Sequence, residues 1–157
     1  MLDFDGVISN SIHDSYRTAL NTYISLQPAH HFPLDKPIHP GETIFEFESG
    51  YPRFFEDYRN LIPLGNRAED YYTICHIMEH GLAAGVHDQS DYNRIKSTLP
   101  KERMQQFSEA FYRLRRQYQD ADPKSWSALL PSFPGLTESL IQLTKRRPTL
   151  TDRVRVC

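Results

Sequence analysis

The chain has 157 residues, 39% of them apolar and 24% charged, with a formal net charge of -2. That length ordinarily makes one domain burying roughly 70% of its unfolded surface; the near balance of charge, without a long Lys/Arg cluster, leaves no electrostatic footprint for nucleic acid. No apolar run approaches the roughly 18 residues of a membrane span and nothing at the N-terminus reads as a signal peptide, so a cytoplasmic protein is expected.

The first element is the run Met1-Leu2-Asp3-Phe4-Asp5-Gly6-Val7-Ile8-Ser9-Asn10-Ser11. Two carboxylates stand two residues apart around Phe4, and Gly6 follows, which reads as the C-terminal end of a strand breaking into a tight loop. At such a sheet edge Asp3 and Asp5 project into a crevice rather than a core. Two carboxylates held together there repel unless a cation or a shared proton intervenes.

This run, Asp-x-Asp-Gly-Val-Ile-x-x-Ser, resembles the first signature of the haloacid-dehalogenase-like (HAD-like) phosphohydrolases. The resemblance implies an α/β hydrolase with a Rossmann-type core and an inserted helical cap. It makes Asp3 the nucleophile that takes up the phosphoryl group, and Asp5 the acid that protonates the leaving oxygen and later activates water. It also implies Mg2+ held by the Asp3 side chain and the Asp5 backbone carbonyl, with Gly6 among the substrate-binding residues. The substrate class it implies is a small phosphorylated metabolite, with no nucleic acid and no membrane as partner.

After the loop, Ile12, Tyr16, Ala19, Leu20, Tyr23 and Ile24 recur at helical spacing with polar residues opposite, predicting an amphipathic helix over 12–26 with Ser11 as its cap. Pro28, Pro33, Pro37 and Pro40 make 27–40 a loop, and His30, His31 and His39 within it read as solvent-facing. Residues 42–49 are ambiguous between helix and strand. Pro52 opens a helix carrying the stripe Phe54, Phe55, Tyr58 and Leu61, closed by Pro63. Asn66 and Glu69 are placed to cap the next, which runs through Tyr72, Ile74, Cys75 and Met78 to a stop at Gly81. A shorter helix carries Tyr92, Ile95 and Leu99. The longest repeats Met104, Phe107, Phe111, Leu114 and Tyr118 as far as Asp122-Pro123, and Trp126, Leu129 and Leu130 mark a last short one. Phe54, Phe55, Tyr58, Ile74, Phe107, Phe111 and Leu114 are the expected shared core, with little sheet.

Phe133-Pro134-Gly135 resembles the turn by which such enzymes return from the cap to the core, followed by a helix from Leu136 to about Lys145. The expected division is therefore 1–11 as first strand and catalytic loop, 12–132 as helical cap, and 133–157 as the return to the core. The tail departs from the family: neither Thr149 nor Thr151 follows a buried apolar strand, and Asp152-Arg153-Val154-Arg155 would put charge inside a sheet. The sequence thus reads as a truncated HAD-like protein, mostly α as it stands, either a fragment, a frame shifted near Pro148, or a short protein that lost its catalytic core. Impaired hydrolysis is expected of it. The alternative, from a different class, is a non-catalytic helical module that binds a partner or packs.

Three further clusters need an account. His76-Ile77-Met78-Glu79-His80 matches H-x-x-E-H, which puts two imidazoles one turn apart with a Glu beside them; lacking an identifiable third ligand, it is not expected to hold a stoichiometric metal. Arg67 opens a helix behind a Gly turn, where a cap residue of this family would reach a substrate phosphate or carboxylate. Arg113, Arg115 and Arg116, with Lys101 and Arg103, read as the wet face of the long helix, offset by Glu102, Glu109 and Asp120. Cys75 and Cys157 form no CxxC pair and need no disulfide in a reducing compartment.

Overall fold

Apolar side chains at three- and four-residue steps, punctuated by Pro and Gly, give eight α-helices among the described residues of a computed structural model, which are 9–33, 37–38, 44–65 and 67–146. They are α1 (Ile12–Leu26), α2 (Ile44–Gly50), α3 (Pro52–Leu61), α4 (Ala68–Glu79), α5 (Gln89–Thr98), α6 (Lys101–Ala121), α7 (Pro123–Ala128) and α8 (Leu136–Arg146). Short 3-10 turns follow α3 at Ile62–Leu64 and α4 at Ala83–Gly85. Among the described residues the only β-pairing is an isolated antiparallel bridge between Ser9 and Ser132. No helix among them is long and apolar enough to cross a membrane.

The centre of the fold is α1, α4 and α6, each packed on the other two, with α3 and α5 laid against α4 and α7 against α6. Phe107 of α6 is fully buried, with its ring centroid 5.7 Å from Tyr72 and 6.3 Å from Phe111. Tyr23 of α1 stands 5.5 Å from Tyr72, and Tyr16 stands 4.8 Å from Tyr58. Pairs of this kind add about 0.5–1.5 kcal/mol each beyond the area they bury. Of the expected core, Tyr58, Ile74, Phe107 and Phe111 are buried, and Phe54 and Phe55 are half-buried at its margin. Leu114 is also only half-buried, because it faces a cleft beside α1.

Helix ends follow the punctuation, with two corrections. Asp88 caps α5, accepting from Ser90 N at 2.8 Å and Asp91 N at 3.0 Å, and Asp122 caps α7 through Ser125 N at 3.0 Å. Gly81 ends α4 in the left-handed region at φ 63°, where Leu82 N–H donates to the Ile77 carbonyl and Gly81 N–H to that of Met78, a Schellman closure. Ser11, by contrast, makes no side-chain cap. Its backbone, at φ -89° and ψ 11°, lacks the extended conformation that aims a capping oxygen at the first turn, and Asn10 Oδ1 accepts from Ile12 N instead. At α4, Asp70 rather than Glu69 reaches back, accepting from Arg67 N at 3.2 Å, while Asn66 lies outside the described residues.

The larger departure is α1. Asp14, Ser15, Arg17, Thr18, Asn21 and Thr22, the polar side of the expected amphipathic helix, are buried as fully as its apolar side. Helix α1 is therefore enclosed, and its polar groups need partners inside the protein. Thr22 Oγ1 donates to the Thr18 carbonyl at 2.7 Å, and Asn21 clasps the backbone of Ile38, donating to its carbonyl and accepting from its amide.

Candidate functional site

Asp3, Asp5 and Gly6 lie outside the described residues, so the structure begins one step beyond them, at the foot of α1. There Ser9 pairs with Ser132, and Asn10 N–H donates to the Pro131 carbonyl at 2.9 Å. Ser9 and Asn10 thus lie beside the residues that lead into the Phe133-Pro134-Gly135 turn, and Gly135 takes φ 77°, which favours Gly. Everything from α1 to α7 is a loop closed at its base by this bridge.

Just inside that base is a buried charged cluster. Asp14, with no exposed surface, accepts from Arg115 Nε at 2.6 Å and from Trp126 Nε1 at 3.1 Å. Arg17 Nη2 lies 3.8 Å from Asp14, and its guanidinium covers the ring of Tyr118, 4.5 Å from the centroid. Burial pushes the Arg17 pKa down, opposed first by Asp14. Asn21 donates to Tyr118 Oη at 2.6 Å, extending the network towards a cleft of about 240 Å3 lined by Thr22, Ser25, Pro37, Arg113, Gln117 and Tyr118. Arg113, Arg116, Lys101 and Arg103 are exposed as expected, but Arg115 turns inward to Asp14 and does not belong to the wet face.

Arg67 is exposed at the entry to α4, behind a turn made at Gly65. That turn is tightly packed: a Cβ on Gly65 would stand 2.5 Å from Tyr92 Oη and 2.7 Å from Asp70 Cβ. Asp70 in turn takes hydrogen bonds from Tyr92 and Lys96, so the backbone that presents Arg67 is fixed from three sides. With Asp3, Asp5 and Gly6 outside the described residues, the two halves of the expected site are not seen together.

At the far end of α4, His76, Glu79 and His80 come together, with one ligand-type atom from each lying within 4.8 Å of the others. The imidazole centroids are 4.2 Å apart, and His80 Nδ1 lies 3.0 Å from the His76 carbonyl and 3.7 Å from Glu79 Oε2. Glu79 accepts from the Tyr23 hydroxyl at 2.6 Å and from His31 N–H at 2.9 Å. Burial by itself raises its pKa, yet those two hydrogen bonds prevail and hold it below the ordinary Glu value. Burial and then the neighbouring His80 push His76 down. His31 is exposed as expected, whereas His30 is half-buried, its Nδ1 accepting from Phe32 N; His39 lies outside the described residues.

No protein family, no curated protein and no solved structure matches the chain.

Sequence reasoning missed the Asp14 cluster because its members are far apart: Asp14 and Arg115 are separated by 101 positions, Asp14 and Trp126 by 112. A signal was present in Asp14 and Arg17, which share one helical face with Thr18 and Asn21, but the same pattern describes any solvated face.

Proposed function

We propose that this is a HAD-like hydrolase, a Mg2+-dependent phosphatase acting on a small phosphate monoester. The observation that carries the reading is the run Asp3-Phe4-Asp5-Gly6-Val7-Ile8-Ser9-Asn10-Ser11. The closed base of the helical array supports it, since an insertion into an α/β core must leave and re-enter at neighbouring points, and Ser9 and Ser132 are neighbours. On this reading 12–132 is the cap, and 1–11 and 133–157 belong to the core.

Asp3 attacks phosphorus and the ester P–O bond breaks, leaving the phosphoryl group on its carboxylate. Asp5 gives its proton to the departing alcohol oxygen, then takes one from the water that hydrolyses the acyl phosphate. Gly6, with no side chain, lets the phosphate approach the backbone, and Arg67 offers a guanidinium from the cap. The donor set fits Mg2+: a carboxylate oxygen of Asp3 and the Asp5 carbonyl are hard ligands of the kind that ion takes. When bound, the ion offsets the repulsion between carboxylate and phosphate.

Residues 147–157 carry no lysine and a single acid, Asp152. On this reading hydrolysis by the 157-residue polypeptide is impaired, each electrostatic stabiliser that a site lacks costing about 3–4 kcal/mol of barrier. The test is turnover of an aryl phosphate by this chain and by one continued through the gene's downstream frames. Mg2+-dependent activity in the continued chain, abolished by Asp3→Asn, is expected; activity that survives Asp3→Asn means another nucleophile. The second reading, a non-catalytic helical module, rests on the apolar core from Tyr16 to Leu129 that the helices supply among the described residues. On that reading the continued chain is inert.

A further inference from the structure

We infer that the C-terminal turn of α4 is a transition-metal site, in which His76, Glu79 and His80 hold one Zn2+ ion. Read from spacing alone, the two imidazoles lack an identifiable third ligand and sit where the helix stops before Gly81. The structure answers both points. The Glu79 carboxylate lies with the imidazoles in one cluster whose donor atoms are mutually within 4.8 Å, so that small side-chain adjustments bring all three to the roughly 2.0–2.2 Å of zinc ligands. The turn is pinned by the Gly81 closure, with Leu82 N–H donating to the Ile77 carbonyl at 2.9 Å.

Glu79 is also built as an oriented ligand. Its side chain is 5% exposed, and the Tyr23 hydroxyl and His31 N–H donate to its two oxygens, one each. A carboxylate has about four acceptor positions, so both contacts persist while one oxygen binds an ion. Outer hydrogen bonds of this kind fix and tune metal ligands. Two imidazole nitrogens and one carboxylate oxygen suit zinc, nickel and copper better than magnesium, so the site is chemically distinct from the hard-oxygen pair Asp3 and Asp5. Because Tyr23 belongs to α1 and His31 to the following loop, the ion would tie three segments at one point. Three protein ligands leave an open position, filled by water or by a side chain of a partner.

The measurement is calorimetric titration of the 157-residue chain with Zn2+ in the presence of excess Mg2+, paired with the thermal midpoint with and without Zn2+. One equivalent bound with micromolar affinity and a raised midpoint are expected, since an ion that binds the folded form preferentially stabilises it. His80→Ala, at a half-exposed position, should keep the helical spectrum and lose both effects; Glu79→Gln, which can still accept from Tyr23 but offers the ion a neutral amide oxygen in place of a carboxylate, should weaken binding measurably. Three results would overturn the inference: no saturable binding, binding unchanged in the folded His76→Ala/His80→Ala variant, or binding that excess Mg2+ abolishes. Should either substitution unfold the chain, carbethoxylation of the native protein decides: Zn2+ must protect His76 and His80 from the reagent, and equal labelling with and without the ion refutes the site.

Discussion

Replacing Asp14 by Asn removes one charge from the best-connected buried point of the structure. Asp14 has no exposed surface and stands against Arg115 at 2.6 Å, Trp126 at 3.1 Å and Arg17 at 3.8 Å. The amide oxygen can still accept from Trp126. Arg115, about a quarter exposed, can turn towards water, but Arg17 is 2% exposed and, among the described residues, is left with the face of Tyr118. Breaking a buried pair by removing one partner costs about 3–5 kcal/mol, and the escape open to Arg115 argues for the lower end, about 3 kcal/mol. Against a total stability of about 5–15 kcal/mol this is severe but survivable. With a urea slope of about 2 kcal/mol per molar, the unfolding midpoint should fall by about 1.5 M with the slope unchanged. In an Arg17→Met background the same substitution should cost markedly less, because the stranded cation is gone. A midpoint shift below about 0.25 M, the size of an ordinary surface change, would refute the account of α1 as an enclosed helix whose charges compensate one another.

Gly65→Ala places a methyl 2.5 Å from Tyr92 Oη and 2.7 Å from Asp70, so a loss of about 1–3 kcal/mol is expected by denaturant titration, with exchange protection lost first at the start of α4. Burial holds the hydroxyls of Tyr16, Tyr23, Tyr58 and Tyr92 above the ordinary phenol pKa. Their unfolded value is about 10, so the stability they contribute is complete below that pH and falls as pH rises beyond it. The tyrosinate absorbance of these four should then appear together with loss of helix rather than ahead of it. Cys75 is fully buried and its thiol is pushed up by that burial, so in a Cys157→Ser background a thiol reagent should react only at the rate of unfolding; immediate reaction would show the α4 face open.

The helices were legible because periodicity and punctuation agree. Pro52, Gly81, Pro100, Pro123 and Gly135 stand where helices begin or end, and at least one boundary of each helix from α3 to α8 follows from them. Residues 42–49 were ambiguous because three apolar residues in so short a run fit either period. The arbiter is contact with α1: as a helix, α2 sets Phe47 6.1 Å from the ring of Tyr16 and brings Glu48 Oε1 to 2.7 Å from His13 Nδ1. Such pairings are invisible along the chain, as are Asp14 with Arg115 and Glu79 with Tyr23. The polar face of α1 misleads for the same reason, since a pattern of Asp, Arg, Thr and Asn looks alike whether water or another helix faces it. The Asp-x-Asp run works the opposite way. It consists of adjacent residues, so the chemistry proposed for it draws on the sequence and not on the fold.

The most direct measurement of the proposed chemistry uses Asp5→Asn in the chain continued through the downstream frames. An aryl phosphate has a leaving group that needs little protonation, so Asp3 should still become phosphorylated, whereas the water step, deprived of its base, should stall. With Mg2+ present, one equivalent of phenolate per chain is predicted, with the phosphoryl group retained and mapped by tandem mass spectrometry to Asp3. A phosphoryl group found on another residue, or no release of phenolate at all, would contradict the assignment of Asp3 as nucleophile.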